Sequence, residues 1–304
     1  MTIKPISFNL LPLAIALVLQ WSCAPDLENE SREEAYLYPL AVGNSWKYDV
    51  NFRSENYRKY ASDSTFIPVD TVKMNDSMTE LVTADHVDST TVDVVTIAMR
   101  DSSWYSASDD TIHTYASWSW YRNNQDGLYV CAQYSLGHGA MPKKAVSKGF
   151  RYKGMVFADA SMLFAYFTDK ANIFMAKSSS ALSFPNVYPT PRKALLYPYS
   201  PDTLWDYNPN DSNVRIARKY ISKEKVMCKA GTFTCIKVQW LQDWDLDGIW
   251  DKDWEQYDWI SPQYGLVKRF SRLYDFEEYN EGGIVAKFDW VQEYQATKIS
   301  IKGR

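Results

Sequence analysis

The chain has 304 residues and sets 37 acidic side chains against 33 lysines and arginines, for a formal net charge of −4. That balance argues against nucleic-acid binding, because the longest basic groupings are Lys143-Lys144 and the interrupted Lys223–Lys225. The length suits one large all-β domain or two smaller ones, and 22 Tyr, 12 Trp and 13 Phe favour strands, where they pack across a sheet or offer sugar-stacking platforms.

The first element is an apolar run, Leu10–Leu19, preceded by Lys4 and by no acidic residue. It matches the h-region of an export signal and is too short to span a bilayer as a helix. Ser22-Cys23 follows, so residues 1–22 read as a lipoprotein signal peptide with Cys23 as the lipidated first residue of the mature chain. Gln20 and Trp21 depart from the small or aliphatic residues usual before such a cysteine, and an ordinary secretory leader is the alternative. Acyl chains contribute roughly 0.8 kcal/mol per buried CH₂, so several together hold a protein on a membrane. Residues 23–35 are polar and acidic and read as a tether. Asp26, Glu28 and Glu30 leave the periplasm and the cell surface both open.

Residues 36–304 read as a single predominantly antiparallel β domain. Gly43-Asn44 turns into a strand in which Trp46, Tyr48 and Val50 share a face. Segments Thr90–Met99, Ser102–Ser106, Thr111–Trp120 and Gly127–Gln133, punctuated by Asp109-Asp110 and Asn123–Gly127, predict a meander. Residues 156–176 carry apolar positions at helical spacing, which fit one small helix or, alternatively, short strands that use the aromatics; the helix is the preferred reading. Pro185, Pro189, Pro191, Pro198 and Pro201 mark a long connection or a short series of edges. Strands are then expected over 214–225, 233–240, 254–259, 265–274 and 284–301. The expected fold is a curved sheet or partial barrel with that one helical element.

Cys228 and Cys235 bracket a glycine turn, and a disulfide across the hairpin is a candidate if register brings the Cβ atoms together. Cys131 beside Val130 reads as a small buried hydrophobe. The densest polar cluster is Asp243-Trp-Asp-Leu-Asp-Gly-Ile-Trp-Asp251. Asp243, Asp245, Asp247 and Asp251 match positions 1, 3, 5 and 9 of a calcium loop, and clustered carboxylate oxygens suit that hard cation. The final bidentate acid is missing, since Trp254 stands at its place. A metal-free acidic turn with Asp247-Gly248 at its tip is the alternative. A glycosidase would need two carboxylates across a cleft, which neighbours in one turn do not supply. His86, His113 and His138 lack zinc spacing, and no serine sits in a nucleophile-elbow context. No catalytic residue is assigned.

Three segments carry a family resemblance. Tyr38-Pro-Leu-Ala-Val-Gly-Asn-Ser-Trp-Lys-Tyr48, Ala230-Gly-Thr-Phe-Thr-Cys-Ile-Lys-Val238 and Ser261-Pro-Gln-Tyr-Gly-Leu-Val-Lys-Arg269 resemble, in this order, motifs of uncharacterised bacterial envelope lipoproteins. The late segment is also similar to one in exported proteins with curved, half-barrel sheets. The resemblance spans most of the mature chain and implies an envelope β protein; with the signal read at residues 1–23, anchoring to the outer membrane through Cys23 is expected. It transfers no catalytic residue.

The function expected from these readings is non-catalytic binding of an apolar or carbohydrate-like ligand. Trp104, Trp118, Trp120, Trp244, Trp250 and Trp254 are the candidate ligand-facing aromatics, no cofactor is required, and calcium is a candidate structural ion. A structural component of an envelope assembly, which would present a broad exposed apolar face, and a glycan-active hydrolase are the competing classes.

Overall fold

The computed structural model describes residues 37–61, 65–69, 75–88, 95–106, 111–136, 148–152, 155–157, 186–209, 211 and 214–302. All lie in one compact unit, Ala35–Arg304. Fifteen strands form, and no helix occurs among the described residues. They are β1 (Ser45–Tyr60), β2 (Phe66–Pro68), β3 (Asn75–Asp88), β4 (Val95–Ser106), β5 (Thr111–Asn124), β6 (Gly127–Leu136), β7 (Lys148–Tyr152) and β8 (Met155–Phe157). Then come β9 (Asn186–Leu196), β10 (Leu204–Asp206), β11 (Arg215–Cys228), β12 (Gly231–Asp243), β13 (Trp254–Ser261), β14 (Gly265–Asn280) and β15 (Gly283–Ser300).

Every pairing is antiparallel, along the path β10-β11-β12-β13-β14-β15-β1-β3-β4-β5-β6-β9. The expected curved sheet or partial barrel is corrected here. The path has two ends, β10 and β9, and no ladder joins them, so the sheet is open. Residues of both ends share a hydrophobic cluster, and a lone backbone bond runs from the Lys193 N–H to the Tyr207 carbonyl, 3.0 Å. The expected small helix has no counterpart among the described residues. Of its span, only 156–157 is described, as the end of β8, and 158–176 lies outside.

The alternation read from the sequence places the core. Trp46, Tyr48 and Val50 are all buried, with Tyr294 and Ala296 of β15 in the same cluster. The prolines of 186–196 sit in β9, an end strand, where a missing N–H leaves no gap in a second ladder. In β15 the side opposite Phe288, Trp290, Gln292 and Tyr294 is buried in part as well. Asp289 and Val291 are buried, and Val291 pairs with both Arg53 and Arg272, whose long stems can cover it.

Gly265 is required at its place. Its φ is +81°, and a Cβ there would lie 2.9 Å from the Tyr38 hydroxyl and 3.0 Å from Trp46 Nε1. Tyr38, Trp46 and the turn after β13 therefore close on one another.

A candidate ligand cavity beside an acidic loop

Strands β11–β14 build one wall of a cavity of about 250 Å³. Inward-phase residues alternate along them: Ile216 and Arg218, Trp240 and Gln242, then Gln256, Asp258 and Ile260. The facing wall includes Trp118 and Tyr121 of β5, Leu128 and Val130 of β6, and Ala194 of β9. Side chains of the early strands, notably Trp46 and Glu80, complete it.

The charges in this wall follow from cross-strand register. Arg218 stands opposite Trp240 on β11 and β12, and its guanidinium lies 3.5 Å from the indole centroid. Asp258 stands opposite Arg269 on β13 and β14. Arg269 donates Nε to Asp258 Oδ1 (2.5 Å) and Nη2 to Oδ2 (2.9 Å), a bidentate pair. Trp240 Nε1 donates to the same Oδ2 at 2.9 Å. Burial pushes the Asp258 carboxyl up, but Arg269, Arg218 and the Trp240 donor together hold it below the usual carboxylate range. Burial lowers the Arg218 pKa, and the Asp258 charge opposes this. On the rim, Arg192 lies 3.7 Å from Asp211 and 4.0 Å over the Tyr188 ring.

The acidic loop adjoins the cavity through Trp244, which stacks on Trp254 with centroids 5.8 Å apart and planes 14° from parallel. Carboxylates of Asp243, Asp245 and Asp247 come within 4.8 Å of one another and could hold a metal ion. Asp251, the fourth expected ligand, is not in that group, and its Oδ2 instead accepts the Trp244 N–H at 2.9 Å. The loop's own amides also reach Asp243, whose Oδ1 accepts from Asp247 (3.2 Å) and Oδ2 from Gly248 (3.0 Å). Asp243 is buried, while Asp245 and Asp247 are exposed.

Of the expected ligand-facing aromatics, Trp118, Trp244 and Trp254 line the cavity. Trp120 does not. It is buried in a cluster with Cys131 and Ala132, and its indole N–H donates to Asp88. Trp250 lies by the acidic loop, with the Arg215 guanidinium 4.6 Å from its ring centroid. The Trp104 side chain and Cys23 lie outside the described residues.

Cys228 and Cys235, the candidate disulfide pair, are free thiols. Register explains this. Cys228 pairs with Gly231 and Cys235 with Glu224, so the two backbone positions lie four residues apart along the hairpin, about 13 Å at strand rise. Burial pushes the Cys235 thiol up to about 12.

Sequence reasoning missed Arg218, Asp258, Arg269 and Trp240. Two signals point to them: a charge at the buried phase of a strand, as in Ile216-x-Arg218-x-Tyr220, and opposite charges on the two strands flanking the Ser261–Gly265 turn, brought opposite each other across one bulge.

A DUF3108-like family model matches residues 152–285, less than half of the chain. No curated protein matches. Two solved structures are similar. One is a candidate exported protein with a YmcC-like fold from Bacteroides fragilis, with 13% identity, TM-score 0.30, and coverage of 87% of this chain and 99% of its own. The other is a candidate lipoprotein from Parabacteroides distasonis, with 14% identity, TM-score 0.32, and coverage of 86% and 97%.

Proposed function

We propose that the chain is a non-catalytic envelope lipoprotein that holds a small ligand, apolar or carbohydrate-like, in the cavity walled by β11–β14. The observation that carries this reading is the cavity itself, about 250 Å³ and lined by Trp118, Trp240, Trp244 and Trp254. An apolar cavity of roughly 150 Å³ accepts benzene, so this one has room for an aromatic ring with a short substituent. Among the described residues the most exposed large apolar side chains, Met227, Ile249 and Ile67, stand on three different elements, β11, the acidic loop and β2. That distribution favours a cavity over a broad docking face among the described residues.

Calcium fits the oxygen-only corner of Asp243, Asp245 and Asp247, where it would stiffen the loop that carries Trp244. The Leu10–Leu19 run before Cys23 supports export and outer-membrane anchoring by an acylated cysteine. Mass spectrometry of membrane-extracted protein should find an acylated mature N-terminus at Cys23, and an unmodified terminus elsewhere rejects the anchor.

Ligand binding is tested by tryptophan fluorescence with 2-phenylethanol as the apolar probe and methyl glucoside as the sugar probe. Saturable quenching by one of them is expected. Ala194→Phe, which fills the cavity from β9, should abolish it. No saturation with either probe rejects the binding function.

A further inference from the structure

We infer that Arg218 is an anion receptor and that the cavity's ligand carries a single carboxylate on an aromatic or apolar body. This rests on the cavity being a ligand site. Arg218 is 5% exposed, and its Nε has no hydrogen-bond partner. Nη1 donates to the Ala194 carbonyl at 2.5 Å, and the flat guanidinium face rests on Trp240, with the Tyr207 centroid 4.7 Å away. A guanidinium has five donors and stays charged in proteins. One carbonyl leaves most of that capacity unused.

The other charges in the lining are already committed. Arg269 grips Asp258 at both oxygens, and Trp240 donates to one of them. Arg192 lies within ion-pair distance of Asp211. Glu80, on β3, is buried and engaged with a partner other than Arg218. Arg218 and Asp258, both buried, together with the partly exposed Arg269 thus hold two cations and one anion. An uncompensated buried charge is expensive, and one monoanion at Arg218 would balance it. A planar carboxylate matches the guanidinium fork, and the body beyond it would lie among Trp240, Tyr207 and Ile216. A phosphate dianion would overshoot the balance.

The test is calorimetric titration of the full mature chain with phenylacetate, with its neutral analogue 2-phenylethanol, and with phenyl phosphate. Phenylacetate should bind about tenfold to a hundredfold more tightly than 2-phenylethanol, the range for a charge-assisted hydrogen bond. Arg218→Met should erase that preference, so that phenylacetate binds no more tightly than 2-phenylethanol. If this variant does not fold by circular dichroism, Arg218→Lys serves, since it keeps the charge and loses the fork. The preference should then fall several-fold, and an unchanged preference overturns the assignment. Equal binding of phenylacetate and 2-phenylethanol overturns the anion receptor while the ligand cavity stands. Tighter binding of phenyl phosphate overturns the carboxylate. Binding of none of the three overturns both the receptor and the cavity function.

Discussion

The acidic loop and the cavity wall beside it share Trp244, yet they settle their charges by different means. In the loop, the turning backbone brings amides to the carboxylates within a few residues: Asp243 takes the amides of Asp247 and Gly248, and Asp251 takes that of Trp244. In the wall, strand backbones already pair with one another, so a charged side chain must find its partner across the sheet. Asp258 does so with Arg269, and Arg218 finds an indole face and one carbonyl. Local satisfaction is robust to single changes, whereas cross-strand satisfaction depends on every member of the set.

The largest break in this contrast is expected from Arg269→Met. It strips Asp258 of its bidentate partner, a loss of about 3–5 kcal/mol for a buried pair. The melting temperature should fall on the order of 10 °C, and the double variant Asp258→Leu/Arg269→Met should recover much of it. A fall of only a degree or two would make the pair dispensable. Asp243→Ala removes the acceptor of two loop amides and should be milder, about 1–3 kcal/mol by thermal or urea denaturation. A loss equal to that of Arg269→Met would erase the distinction between the two regions.

Acid sharpens the comparison further. Asp258 has a depressed pKa when folded, so its contribution is present above the unfolded value of about 3.9 and disappears as pH falls through the folded one. Denaturation midpoints followed from pH 5 down to pH 2 should drop more steeply in the wild type than in Asp258→Asn. Parallel curves would mean that the carboxylate gains nothing from its neighbours. The smallest effect expected is that of calcium. At about 5 mM it should stabilise by about 1–2 kcal/mol if the corner has the affinity of an extracellular module. Asp245→Asn should remove that gain, and a flat response in the wild type would leave the loop to its own amides.

Strand alternation and glycine turns made most of β11–β15 readable, because turns join these strands and their burial alternates over much of their length, β15 from Phe288 to Gln292 excepted. The phase of Trp46, Tyr48 and Val50 was readable for the same reason. Whether a long antiparallel path closes was not, since that depends on whether β9 and β10 ladder, and neither strand's sequence encodes the other's position. The aspartate loop drew attention because its residues are neighbours in sequence, but Asp251 turned to the backbone instead of the cluster. The Arg218, Asp258 and Arg269 set drew none, because it is assembled from three strands and shows only as charge at a buried phase. Trp118, Trp244 and Trp254 reached the cavity, while Trp120 packed away from it, since an aromatic in a strand looks the same whether it faces a void or a core. The hairpin cysteines shared a face, but the two-residue turn fixed their offset at four positions.

Gly265 gives the cavity a one-way adjustment. A methyl group there would collide with the Tyr38 oxygen and the Trp46 indole nitrogen, two residues that stand in the lining. Redesign from this side can therefore only hollow the chamber by trimming those rings, never shrink it by growing the chain behind them.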